Sequence, residues 1–163
     1  MIQLPNDILI PQVADMIKQG HTVTLPLKGY SMRPYLEDGR DKALLTAVNR
    51  GLKVGDVILA EIAPKRWALH RIVSMEGNDI TMYGDGNFSA EHVTRDDIIA
   101  IAVGFYRKGS DKIDSVDSTT YRLYWKSWVK LRPFRRYLLL AWNLSNHPSE
   151  TIARIFNKIK NSL

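Results

Sequence analysis

Hydrophobic positions along this chain follow two different rhythms. Between residues 21 and 106 they come in short runs rich in Val, Ile, Leu and aromatic residues, broken by Gly, Pro, Asn and Asp. Such runs predict strands and turns. Strands are expected over residues 21–27, 57–62, 67–75, 80–83 and 98–106. Residues 42–48 also read as a strand, although their periodicity permits a helix. Glu76-Gly77-Asn78-Asp79 reads as a hairpin connection, and Gly84-Asp85-Gly86-Asn87 as a second tight loop. Residues 8–19 predict one short helix, with Pro11 in its first turn, Val13, Met16 and Ile17 on one face, and Gly20 as its stop. Beyond residue 120 the rhythm becomes helical. Tyr124, Trp125, Trp128 and Val129 fall at helix spacing, a second segment covers 134–144, and a third places Ile152, Ile155, Phe156 and Ile159 on one face. The expected fold is mainly β, a coiled, barrel-like sheet with a short N-terminal helix and a helical C-terminal appendage. The polar stretch 109–120 reads as a linker. It divides a β domain at 1–108 from a tail at 121–163.

Composition adds charge asymmetry and a few exclusions. The 163 residues are 45% apolar and 25% charged, ordinary values for a globular protein. The net charge of +6 is unevenly placed: residues 121–163 hold nine Lys/Arg and one acidic residue, whereas residues 1–120 are slightly acidic. A partner attracted by charge would therefore meet the tail. There is no cysteine, which excludes disulfides, thiolate zinc sites and a cysteine nucleophile, and fits a reducing compartment. Residues 1–7 show neither a basic leader nor an apolar core, so no signal peptide is expected. No run of about 18 apolar residues predicts a membrane span.

The candidate chemistry starts at Lys28-Gly29-Tyr30-Ser31-Met32-Arg33-Pro34, which follows the first predicted strand. Gly29 frees the backbone at the strand end, and Pro34 keeps Ser31 out of a helix. A serine in such a turn can present its hydroxyl and its own N–H to one space, the pairing of nucleophile and oxyanion donor that acyl transfer needs. Alone, a Gly-x-Ser turn is more often only a turn. A base is also required, and the body offers His21, His70 and His92. His70 sits inside a predicted strand, Ala68-Leu69-His70-Arg71-Ile72-Val73, where a buried imidazole must find a partner. A core histidine satisfied by backbone is the plainer reading of it. His21 and His92 read as surface residues, the latter in a loop. A carboxylate could orient the imidazole. Asp85 between two glycines is the first candidate, although Asp in that setting is usually a turn former. Glu91 and Asp38 are lesser ones. No metal-ligand spacing is present, and no cofactor is expected.

Taken in order, Gly29-Tyr30-Ser31-Met32-Arg33-Pro34, Val54-Gly55-Asp56-Val57-Ile58, Leu69-His70-Arg71-Ile72-Val73 and Gly84-Asp85-Gly86-Asn87 resemble the motifs of one serine peptidase group. That group (S24/S26) joins type I signal peptidases to LexA-like self-cleaving repressors. The resemblance covers roughly residues 20–107. It implies the coiled-sheet fold of that group, with Ser31 as nucleophile. His70 stands where bacterial signal peptidases carry a catalytic Lys and where archaeal and endoplasmic-reticulum enzymes carry His. The eukaryotic-type enzymes use an acid a few positions past the Gly-Asp-Asn segment, which leaves Asp85 and Glu91 both open as the third member. The Ser31 amide would bind the oxyanion. Gly29, which falls where bacterial members often place an oxyanion-hole Ser, is the candidate second oxyanion donor.

The resemblance implies peptide-bond hydrolysis by a Ser–His mechanism. The substrate would be an extended leader-type peptide lying beside residues 22–28, with contacts from Thr24, Pro26, Lys28 and Met32. The expected setting is the cytoplasm or the inner membrane surface. Residues 121–145 are candidates for contact with an anionic membrane, and no nucleic-acid partner is expected. Two alternatives use the same fold: a non-catalytic peptide-binding relative and a self-cleaving regulatory protein.

Overall fold

The structure, a computed structural model, describes residues 4–160. The chain divides into two compact units, Met1–Lys126 and Ser127–Leu163. The first begins with helix α1 (Asn6–Lys18) and then builds one antiparallel sheet of eight strands. These are β1 (Val23–Pro26), β2 (Lys42–Thr46), β3 (Val57–Ala63), β4 (Arg66–Glu76), β5 (Asp79–Tyr83), β6 (Glu91–Thr94), β7 (Ile98–Tyr106) and β8 (Ile113–Ser115). Their order is β1-β2-β7-β3-β4-β5-β6, with β8 added to β7. Three helices follow: α2 (Thr119–Lys130), α3 (Arg135–Asn146) and α4 (Pro148–Lys160), with α3 packed on α4. The expectation of a mainly β body with helices at both ends is met.

Several local readings change. Helix α1 starts two residues early, with the Pro5 carbonyl accepting from the N–H groups of Ile8 and Leu9, so Pro11 lies inside the helix and not in its first turn. Its buried face is Ile10, Val13 and Ile17, at helical spacing, while Met16 is exposed. His92, expected in a loop, lies in β6, whose Val93 is buried. The polar stretch 109–120 contains β8, whose Ile113, Asp114 and Ser115 pair with Tyr106, Phe105 and Gly104. Residues 113–115 of it belong to the sheet, and the boundary between compact units falls after Lys126. The side chains of Ile155, Phe156 and Ile159 lie outside the described residues.

Two groups of buried side chains hold the first unit together. One joins α1 to β1, β2, β7 and the turn after β1, through Ile10, Val13, Leu25, Met32, Leu36, Leu45 and Phe105. The other lies between β3, β4, β5 and β6, around Ile58, Ile72, Ile80, Met82 and Val93. The start of α2 docks onto the first group. Tyr121 is buried, Tyr124 stacks on Tyr35 at 4.5 Å, and the Trp125 ring covers Gly55, where even a methyl group would come within 2.4 Å of the indole. Tyr124 and Trp125 thus pack against the body.

One buried carboxylate pins the segment that carries Ser31. Asp41 is fully buried and accepts from the N–H groups of Glu37 (2.8 Å) and Lys108 (2.9 Å) and from Nε and Nη2 of Arg40. Burial alone would raise its pKa, but the Arg40 and N–H hydrogen bonds outweigh burial and hold it below the ordinary value. A folded-state pKa below the unfolded one contributes stability above the unfolded value, near 4, and loses it as pH falls through the folded value. Asp41→Asn is therefore expected to cost about 1–3 kcal/mol at neutral pH, because the amide NH₂ faces donors it cannot accept. The variant should also lose less additional stability than wild type as pH falls below about 4. Urea melts between neutral pH and pH 3 check both; parallel pH dependences in the two proteins would contradict the assignment.

Candidate active site

The turn after β1 is shaped by three constraints. Gly29 adopts φ +84°, open to glycine at no steric cost. Met32, Tyr35 and Leu36 bury their side chains, anchoring a helical turn in which Leu36 N–H donates to the Met32 carbonyl at 3.0 Å. Arg33 is buried as well, paired with Glu37 and lying 4.0 Å over the Tyr30 ring. Ser31 is left half-buried at the apex. Its carbonyl accepts from Gly86 N–H at 2.7 Å, and among the described residues neither its hydroxyl nor its N–H has a hydrogen-bond partner.

His70 reaches the same place from the middle of β4. Its ring is nearly buried, and Nδ1 lies 2.7 Å from Glu91 Oε2 at the start of β6. A carboxylate accepts, so this contact places the proton on Nδ1 and leaves Nε2 as the acceptor. Gly84 shows how close Nε2 comes to the serine. A Cβ on Gly84 would lie 2.9 Å from His70 Nε2, 3.0 Å from Ser31 Cβ and 2.4 Å from the Ser31 carbonyl oxygen. Nε2 and Ser31 Cβ are therefore within about 6 Å of each other, and a nucleophile–base contact is often longer in a substrate-free site than in the complex. Glycine at 84 is what lets the two side chains share one space.

That space is a cleft of about 290 Å³. Leu27, Met32, Leu36, Ile62, Trp67 and Leu69 give it apolar walls, and Ser31, His70 and Glu91 lie along it. Of the four residues assigned to substrate, Lys28 and Met32 line this cleft. Thr24 and Pro26 do not. They are exposed on β1, the edge strand, and Thr24 faces a separate hollow with Arg40, Lys42 and Tyr106. The contributions of Ile62, Trp67 and Leu69 were missed; their strand alternation marks them as core, and no local signal places them at the cleft that holds Ser31.

The two candidate carboxylates part company. His70 and Arg71 are neighbours in one strand, so their side chains leave on opposite faces. Glu91 lies on the His70 side. Asp85 lies on the Arg71 side and accepts two hydrogen bonds from that guanidinium, 2.9 Å from Nε and 2.6 Å from Nη2. Asp85 does not meet the imidazole, so its expected role as the orienting acid gives way to a structural one, because its two oxygens are taken by Arg71 and the Tyr124 hydroxyl. Gly29 changes role too. Its N–H donates to Asp38 Oδ1 at 2.7 Å, which removes it as a ready second oxyanion donor and makes Asp38 a brace of the turn. His21 and His92 are exposed, as surface readings require. Among the described residues no group of three or more His, Cys, Asp or Glu side chains is placed to hold a metal ion, and no helix is long and apolar enough to cross a membrane.

Glu91→Gln tests the pairing chemically. Gln keeps the shape but removes the charge beside the imidazolium that forms when His70 takes a proton. On the expected peptidase reading, turnover should fall by about 10²–10⁴-fold in kcat, with KM and thermal stability nearly unchanged, since Glu91 is partly solvated. Equal kcat in the two proteins would remove Glu91 from the site.

No protein-family model matches the chain, and no curated protein matches it.

Proposed function

We propose that the protein is a serine peptidase of the signal-peptidase and LexA-like type, acting on extended leader-type peptides by a Ser–His mechanism. The observation that carries the reading is the joint placement of Ser31 and His70 at one apolar cleft, with both reacting atoms unpartnered and Glu91 holding the far side of the ring. His70 Nε2 takes the hydroxyl proton as Ser31 Oγ attacks the scissile carbonyl. The Ser31 N–H receives the oxyanion. The imidazolium, steadied by Glu91, returns the proton to the leaving amine, and water then hydrolyses the acyl-enzyme by the reverse sequence. The exposed edge of β1 suits an added substrate strand, whose side chains next to the cleaved bond would enter the apolar cleft. A chain without cysteine needs no oxidising compartment, which supports a cytoplasmic setting or one at the inner membrane surface.

The test is incubation with a pool of leader-type peptides bearing small residues at varied positions, read by mass spectrometry, together with labelling by an arylsulfonyl fluoride. Cleavage at defined bonds and a single label on Ser31 are expected. Peptide binding with neither cleavage nor label would leave the cleft as a binding module, and the enzymatic reading would fall.

A further inference from the structure

Two segments hold Ser31 in place, and one side chain joins them. The first is its own turn, anchored by the buried Tyr35. The second is the loop after β5. There Gly86 N–H donates to the Ser31 carbonyl at 2.7 Å, and Gly84 lies so close to Ser31 that a methyl group would not fit. Tyr124, in the second turn of α2, reaches both segments. Its ring stacks on Tyr35, with centroids 4.5 Å apart and planes 28° apart. Its hydroxyl donates to Asp85 Oδ2 at 3.1 Å. Asp85 stands between the two glycines that meet Ser31. Those glycines are needed for the close approach, and they leave the loop backbone free to move. Contacts to Asp85 must remove that freedom. Arg71 supplies them from β4, and Tyr124 supplies one from α2.

We propose that Tyr124 is a positioning residue of the Ser31 site, tying the turn that carries the serine to the loop that holds its carbonyl. Its effect on turnover rests on the Ser31–His70 reading above; its effect on the loop rests on the geometry alone. Tyr124 does not line the cleft, so it acts through Tyr35 and Asp85. A phenylalanine would supply the same ring stack. The hydroxyl adds a directional contact to a carboxylate that Arg71 already neutralises, so its contribution is to fix where Asp85 lies and, with it, Gly84 and Gly86. Reaction rates respond steeply to such placement, since a displacement of about 1 Å at the reacting atoms can cost about 10²-fold. Helix α2, which follows the last strand of the sheet, thereby belongs to the support of the site. It is not a separate appendage.

The experiment compares the full wild-type chain with Tyr124→Phe, which keeps the ring and loses only the hydroxyl. The control is Tyr35→Phe, which loses a hydroxyl of the same aromatic group whose contact is Asp114, at 3.4 Å, and not Asp85. Amide hydrogen exchange reads the loop. The Gly86 amide should exchange at least about tenfold faster in Tyr124→Phe, while amides paired across β2 and β7 keep their wild-type rates. Tyr35→Phe should match wild type at both places. On a cleaved peptide, kcat of Tyr124→Phe should fall about tenfold with KM within about twofold. Labelling of Ser31 by an arylsulfonyl fluoride should slow by a similar factor. Unchanged exchange at Gly86 would overturn the proposal. So would an equal loss of protection across β2 and β7, which would make the hydroxyl a general stabilising contact, and so would faster exchange at Gly86 with kcat unchanged. A wild type that neither cleaves nor takes the label would bring down the peptidase reading instead, and exchange at Gly86 would still decide whether Tyr124 positions the Ser31 loop.

Discussion

On the proposed peptidase reading, replacing Ser31 with alanine is expected to remove nearly all peptide cleavage and to leave the fold intact. The hydroxyl is the only atom lost, and among the described residues it bonds to nothing. Its removal should change stability by about 0.5 kcal/mol or less. The effect on rate is of another order, because no other group in the cleft offers a nucleophile with a base beside it. A loss of at least about 10³-fold in kcat is expected, with residual activity owed to binding and to the remaining oxyanion donor. His70→Ala should lose about as much. The double variant should lose little more than either single one, since nucleophile and base act as one unit. Kinetics of the four proteins on one cleaved peptide, with thermal melts alongside, settle the matter. Full turnover by Ser31→Ala would refute the nucleophile, and additive losses would refute the Ser31–His70 pair.

Much of the body could be read in one dimension because burial follows the strand period. β3, β5 and β7 were each anticipated to within about two residues from their apolar runs. What escaped was short, polar and paired at a distance. β6 begins Glu91-His92, with alternate residues facing solvent, and β8 reads Ile113-Asp114-Ser115; each becomes a strand through a neighbour already in place. The site divides along the same line. Ser31 and His70 were legible because each sits in a local context that is odd for its type, a glycine-freed turn and an apolar strand. Which carboxylate serves His70 was not legible. Asp85 and Glu91 are both within a few residues of the same loop, and the choice rests on which face of β4 each one meets. Gly29 lost its expected donor role to Asp38, nine residues on, a contact that no spacing rule announces.

Asp85→Ala should be among the most destabilising substitutions in this protein. Arg71 is 1% exposed and gives Asp85 two hydrogen bonds; its remaining arm donates to the Gly55 carbonyl at 3.0 Å and to the Tyr121 hydroxyl at 2.9 Å. Burial works against that charge, but the Asp85 carboxylate outweighs it and keeps the guanidinium protonated far above the usual range. Burial, and after it the same carboxylate, drives the Tyr124 hydroxyl well above the ordinary phenol value, so that it serves Asp85 as a neutral donor. Removing Asp85 strands a buried cation that cannot shed its proton. The expected cost is about 3–5 kcal/mol, a fall of roughly 10 °C or more in melting temperature for a chain of this size. Some of that cost should reach the site, because Gly84 and Gly86 flank Asp85 and lie against Ser31. A carboxylate that only orients His70 should behave differently. Glu91→Gln is expected to slow turnover without lowering the melting temperature. Asp85→Ala should lower the melting temperature first, and the fraction that stays folded should keep measurable activity. Combining Asp85→Ala with Arg71→Met removes the stranded charge and should recover part of the lost stability. Melting curves of the single and double variants, with turnover normalised to folded protein, separate the two roles. A normal melting temperature with abolished turnover in Asp85→Ala would return Asp85 to the chemistry.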